Sequence, residues 1–128
     1  MDWQVRAIRG ATTAEVNTAL AMREAVAELL DALETHNQLT PDQLISVTFT
    51  VTRDLDALFP AAVARERPAW QEVALLDVQQ MYVENSLPRC IRVLAHTYLP
   101  IEQPIYHPYL RGARQLRPDR ADLLSVTK

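Results

Sequence analysis

One helical period dominates the chain. In TTAEVNTALAMREAVAELLDALETHNQ the apolar residues Val16, Leu20, Val26, Leu29, Leu30 and Leu33 recur at helical intervals, and Thr12 and Glu15 stand at capping-box spacing. The pattern predicts a long amphipathic helix over about residues 14–36. The chain after it is interrupted by eight prolines and reads as short runs. A single striped helix must bury its apolar face against another layer, so those runs have to supply a sheet.

Strand signals lie on both sides of the helix. WQVRAIRG alternates imperfectly up to Gly10 and predicts an opening strand over residues 3–9, with Arg9 at its exit. TPDQL repeats a helix-start signal on a small scale, with Thr40 as cap, Pro41 first and Gln43 three residues after the cap. ISVTFTV is rich in β-branched residues and sets Ile45, Val47, Phe49 and Val51 on one side of a half-buried strand. RDLDALFPAAVARERPAW predicts two short helical pieces, split at Pro60 and stopped at Pro68. EVALLDVQQMYV is extended, RCIRVLAHTYL is the strongest strand, and ARQLR is a last short strand before a polar tail. The order predicts one α+β domain over residues 1–128: a mixed β-sheet packed on one long and one or two short helices.

Composition narrows the function. At 128 residues and 48% hydrophobic content the chain can bury a substantial core as one domain. A formal net charge of -3 argues against nucleic acid as the main partner, which calls for a clustered cationic surface. The basic residues are nearly all arginine, with Lys128 the only lysine, and arginine is the side chain for planar, bidentate capture of carboxylates. Cys90 is the only cysteine, and His36, His96 and His107 are scattered, so no metal site is expected. Gly10 and Gly112 are the only glycines, which argues against a phosphate-binding glycine loop. No apolar run resembles a signal peptide or a membrane span, and the expected location is the cytoplasm, without a membrane partner.

Arg92 stands out in LPRCIRVLAH. Alternation puts Ile91, Val93, Ala95 and Thr97 on one face and Cys90, Arg92, Leu94 and His96 on the other. A guanidinium on a mostly apolar face needs an anion or water. An internal salt bridge and a bound ligand both satisfy that need. Besides it, Arg9, Arg65, Asp77, Gln80, Tyr109 and Arg117 are polar groups at strand ends and in loops, of which Arg65 and Arg117 taken alone read as solvated surface charges. With no Ser/His pair and no metal cluster, the set describes binding and electrostatics more than covalent chemistry.

IRGATT, DLDALFPAAVARE, LPRCIRVLAH, HPYL and LRPD stand in the order and at nearly the spacing of the AroH-class chorismate mutases, which the chain resembles from Ile8 to Asp119. The resemblance implies a homotrimer with a barrel-like centre, a fold related to RidA. An active site would lie in each cleft between subunits, chorismate would rearrange to prephenate, and no cofactor or metal would be needed. It also implies roles. Arg92 would bond the substrate's ether oxygen and a carboxylate, Arg9 would hold a carboxylate, and Tyr109 would bond the same region. Phe59 and Arg65 would come from the adjacent subunit, with Leu76 among the substrate-binding residues, and Leu116 and Arg117 would help close the entrance.

Two positions depart from the family pattern. Ala62 stands where a lysine is common, and Gln80 stands where the family commonly has a glutamate that bonds the substrate's ring hydroxyl. Three residues earlier Asp77 occupies a position where cysteine is common, so either Asp77 replaces that carboxylate or activity is reduced. The alternatives are a trimeric protein that binds small carboxylates without turning them over and, ranked below it, an imine or enamine deaminase of the RidA type.

Overall fold

Strict alternation in CIRVLAHTYLP makes the central strand of the sheet. Ile91, Val93, Ala95, Thr97 and Leu99 are buried on one side, while Arg92, Leu94 and Tyr98 are exposed on the other. The computed structural model describes residues 2–118, with strands β1 (Trp3–Thr13), β2 (Leu44–Val51), β3 (Ala74–Gln79) and β4 (Cys90–Pro100), and helices α1 (Ala19–Asn37) and α2 (Pro60–Arg65). The sheet order is β1-β4-β2-β3. β4 runs antiparallel to both neighbours, and β3 lies parallel to β2 after the crossover through α2. The architecture is the predicted α+β arrangement with a mixed sheet.

The helices cover one face only. Met22, Val26, Leu29, Leu30 and Leu33 of α1 and Val63 and Ala64 of α2 join Ile8, Val47, Phe49, Ile91 and Val93 in one core. Burial of each large aliphatic chain there contributes about 1.5–3 kcal/mol. Arg67 fastens the layer by donating to Glu34, Asp31 and the Ala27 carbonyl of α1. Asn37, buried at the end of α1, donates to Tyr106 O and accepts from Tyr106 N, which ties the segment leading to Tyr109 to the helix.

Several boundaries differ from the sequence reading. β1 runs through Gly10 to Thr13, so the glycine lies inside the strand. There a Cβ would stand 2.7 Å from Pro108 O, and the glycine serves a close backbone approach. α1 starts later than predicted: Thr18, not Thr12, is its cap, accepting from Ala21 N at 3.1 Å. Val16 therefore lies before the helix and is exposed, and Leu20, within it, is exposed on the face away from the core stripe. A register shift between Leu44 and Ser46 turns Ile45 out to solvent while Val47 and Phe49 keep the core side. Of the two short helical pieces, only the one after Pro60 is an α-helix. ARQLR is not a strand, because residues 111–116 coil into a 3-10 turn that starts at Arg111 in a left-handed conformation (φ 52°). The predicted turn at Pro41–Gln43 forms with its capping box. Residues 119–128 of the polar tail, Asp119 included, lie outside the described residues.

Candidate active site

Strand register sets one row of side chains across the uncovered face of the sheet. Val78 of β3 pairs with Thr50 of β2, Thr50 with Arg92 of β4, Arg92 with Ala11 of β1, and Ala11 bridges to Tyr109. Directly paired residues share a face, so Arg92 and Tyr109 flank Ala11 in that row. Arg9 pairs with Leu94 and is thus the diagonal neighbour of Arg92, about 7–8 Å away between backbones by strand geometry. Two arginines therefore project from neighbouring positions on one face.

Gly10 makes that row possible. Without a side chain there, residues 108–110 lie against β1, with Ala11 N donating to Pro108 O and Leu110 N to Ala11 O, both at 2.9 Å. Arg9 N donates to His107 Nδ1 at 2.9 Å, which fixes the same segment one residue earlier. Tyr109 is buried with Ala11, Cys90 and Ala113, and Leu87 and Leu116 pack against them. Leu116 closes the 3-10 turn and Arg117 follows it, both half-buried.

Two cations lie at this end of the sheet, and the Asp54 carboxylate also acts on Cys90 there. Arg9 and Arg92 are exposed, and among the described residues neither pairs with a carboxylate: the ion pairs there join Arg23 to Glu66, Arg67 to Asp31 and Glu34, and Arg111 to Glu28. The internal salt bridge weighed for Arg92 does not form among them. Burial pushes the Cys90 thiol up, and the Arg92 guanidinium beside it pulls the other way. Thr50 Oγ1, in the row next to Arg92, is buried without a hydrogen-bond partner among the described residues. So is Gln80 Oε1. Gln80 leaves β3 with its N–H bonded to Val51 O at 2.8 Å and lines a cavity of about 280 Å³ with Thr52, Asp54, Tyr82 and Leu87.

The remaining candidates gather elsewhere. Asp77 pairs in register with Phe49 on the helix-covered side, and its Oδ1 accepts from Ala61 N of α2 at 2.9 Å. Burial pushes its carboxyl above the usual range, against the opposing pull of the Ala61 N–H and the Arg65 charge. Phe59, 70% exposed, precedes α2, and Arg65 ends it, also exposed. Phe59, Asp77 and Val78 line a second cavity of about 390 Å³. Leu76 is exposed on the open face of β3, opposite Thr48. The structure thus sets Arg9, Arg92 and Tyr109 in neighbouring positions on one face, places Gln80 in a cavity beyond the end of β3, sets Phe59, Arg65 and Asp77 on the α2 side, and leaves Leu76 on the open face of the edge strand.

Sequence reasoning passed over the residues that hold this end in shape. Asp54 accepts from Thr52 Oγ1 and from Arg89 N, and Thr52 Oγ1 accepts from Cys90 N. Burial alone would raise the Asp54 carboxyl, but the hydrogen bonds from Thr52 and Arg89 N and the Arg89 charge bring it below the usual range. The local signal was a Thr-x-Asp turn directly after a β-branched strand. Among the described residues, no group of three His, Cys, Asp or Glu side chains is placed to hold a metal ion, and no helix is long and apolar enough to cross a membrane.

Comparison with known proteins covers this geometry almost end to end. The family model for chorismate mutase type I matches residues 5–120. The chain is 38% identical over 126 residues to the chorismate mutase AroH of Bacillus subtilis (strain 168), covering 97% of this chain and 95% of that protein. It is 45% identical over 118 residues to the chorismate mutase AroH of Thermus thermophilus, covering 90% and 95%. Among solved structures, a chorismate mutase from Clostridium thermocellum superposes with a TM-score of 0.79 at 42% identity, covering 86% of this chain and 98% of that one.

Proposed function

The chain belongs to the type I chorismate mutase family and is an isomerase that rearranges chorismate to prephenate in aromatic amino acid biosynthesis; from that premise we propose how its residues do so. The rearrangement is unimolecular. An ether C–O bond breaks as a C–C bond forms, so no nucleophile or proton donor is required, and catalysis reduces to holding a reactive conformer and stabilising developing charge. Arg92 stabilises the negative charge that grows on the ether oxygen and holds one substrate carboxylate. Arg9, its diagonal neighbour, holds a carboxylate, and Tyr109 bonds the same region. Gln80 takes the ring hydroxyl, offering a neutral acceptor and donors where a carboxylate would offer acceptors alone. Neither cofactor nor metal enters this scheme.

The observation that carries the reading is the pair Arg9 and Arg92 on one uncovered face, with no described carboxylate paired to either. Chorismate, with two carboxylates, supplies the missing charge.

The active unit in this proposal is a homotrimer in the cytoplasm, the site lying between subunits. Phe59 and Arg65 sit on the α2 side of the chain, away from the face that bears Arg92, and so they complete a neighbour's site, with Leu76 at the junction and Leu116 and Arg117 at the entrance. The uncovered face supports this. Trp3, Val5, Leu94 and Tyr98 are exposed there, with Trp3 and Tyr98 stacked at 5.8 Å, and such an apolar surface fits an interface between copies.

The test is the loss of chorismate absorbance with purified protein and identification of prephenate as product. Turnover insensitive to chelator is the expected result. Saturable chorismate binding without turnover would instead establish the carboxylate-binding reading, which the uncharged Gln80 favours.

A further inference from the structure

The α2 half of the site depends on one contact from outside the helix. α2 has six residues, too short to persist by its own backbone bonds, so its position rests on its packing and on its first turn. The ordinary devices for that turn are missing. Phe59 at the cap position contributes no side-chain bond, and Pro60 has no N–H to satisfy. Ala62 N donates to Phe59 O at 2.9 Å, and Ala61 N donates to Asp77 Oδ1, also at 2.9 Å, across a separation of 16 residues. Asp77 itself is fixed, because its strand is held in parallel register to β2 with Phe49 as its partner in the core layer.

We infer that Asp77 is a positioning residue: by accepting the Ala61 N–H it locks the start of α2 to β3, and so aims Phe59 and Arg65 as a unit at the substrate. The inference rests on the two-subunit site proposed above and adds to it the group that sets the geometry of one half. Phe59 is the residue immediately before the helix and Arg65 is its last, so a slide or tilt of α2 displaces both. The facing charges agree with this role. Arg65 on α2 is the cation that acts on the carboxyl, and Asp56, from the segment before α2, lines the same cavity. A group engaged by the helix N–H orients residues that touch substrate without having to touch it.

Asp77→Ala removes the acceptor, and Asp77→Asn keeps an oxygen in the same place while removing the charge. If Asp77 acts through α2, Asp77→Ala raises KM for chorismate about tenfold with a smaller fall in kcat, and Asp77→Asn recovers most of that loss. In an Arg65→Ala background the Asp77→Ala effect on KM shrinks to about half or less of its size, since one of the two residues it aims is gone. Hydrogen exchange of the peptide spanning residues 59–66 gives a readout independent of turnover: it speeds about tenfold in folded Asp77→Ala and stays near wild type in Asp77→Asn. Equal damage from both variants, undiminished in the Arg65→Ala background, would make Asp77 a substrate contact and overturn the inference. Unchanged exchange in folded Asp77→Ala would overturn it too. If wild-type protein fails to turn over chorismate, the functional premise falls, while the exchange comparison still decides whether Asp77 holds α2.

Discussion

Gly10→Ala tests the placement of Tyr109 without touching any residue assigned to the substrate. The added Cβ would stand 2.7 Å from Pro108 O, 2.9 Å from Pro108 Cγ and 3.2 Å from Val93 Cγ1, whereas real Cβ contacts essentially never fall below 3.0 Å. A backbone oxygen cannot swing aside as a side chain can, so residues 108–110 must retreat from β1. Their retreat strains the bonds Ala11 N to Pro108 O and Leu110 N to Ala11 O, both 2.9 Å. Two weakened backbone bonds cost about 1 kcal/mol each, overpacking adds about 1–3 kcal/mol, and the stiffer unfolded chain returns about 0.4–1 kcal/mol. The net expectation is a loss of about 2–4 kcal/mol, read as a fall in Tm of about 5–15 °C. Because Tyr109 moves with its segment, kcat/KM falls about ten- to hundredfold in protein that remains folded. Pro108→Ala added to Gly10→Ala relieves only the 2.9 Å contact and restores little. The assay is chorismate consumption beside a thermal melt, and Gly10→Ala protein with wild-type Tm and wild-type kcat/KM would refute the close-approach argument.

Arg92→Ala lowers kcat/KM by about two to three orders of magnitude, as loss of a charged donor to a developing oxyanion does, and Arg92→Lys stays poor because an ammonium lacks the parallel donor fork; a variant within a few fold of wild type removes Arg92 from the mechanism. Arg65→Ala subunits, which keep weak turnover, and inactive Arg92→Ala subunits, mixed under conditions that exchange them, together exceed the activity of either alone because some clefts then pair two intact halves; verified mixed trimers without such a gain would count against a shared site. Asp54 has a lowered pKa when folded, so its stabilising contribution is present above the ordinary value of 3.8 and is lost as pH falls through the folded value. The difference in Tm between wild type and Asp54→Asn is therefore largest near neutrality and closes in acid, and a pH-independent difference would contradict that linkage.

What could be read from the chain divides along physical lines. Alternation in β4 identified its buried face residue by residue, because a period of two depends only on the strand itself. The periodicity of α1 found Val26, Leu29, Leu30 and Leu33 but wrongly added Val16, which precedes the helix that Thr18 caps, and Leu20, which lies in the helix on the face away from the core. Gly10 read as a terminator because its reason lies in Pro108, far along the chain, and no local pattern announces a backbone approach. Ile45 followed the alternation yet faces solvent, as one bulge reverses the side chains behind it. ARQLR alternates over too few residues to exclude a 3-10 turn. At the site, charge chemistry and the family resemblance picked out Arg9, Arg92 and Tyr109, which the fold does place together. Neither could reveal that Asp77 is engaged by Ala61, a partner decided by how α2 docks.

The same physics links assembly to substrate. In one chain Arg9 and Arg92 lie in water, where screening makes their mutual repulsion slight. Covering that face with a second copy lowers the local dielectric, which strengthens repulsion between the two cations and strips water that had solvated them. Neither guanidinium can escape by losing its proton. An unliganded cleft must therefore stay wet, and the ligand that closes it favourably carries two negative charges spaced to meet both arginines. In the proposed site a dianion that enters would also meet the neutral Gln80, where a carboxylate would repel it. On the proposed placement of Gln80, a neutral amide would polarise the ring hydroxyl less than a carboxylate and would repel the dianion less, a shift from transition-state stabilisation towards ground-state affinity.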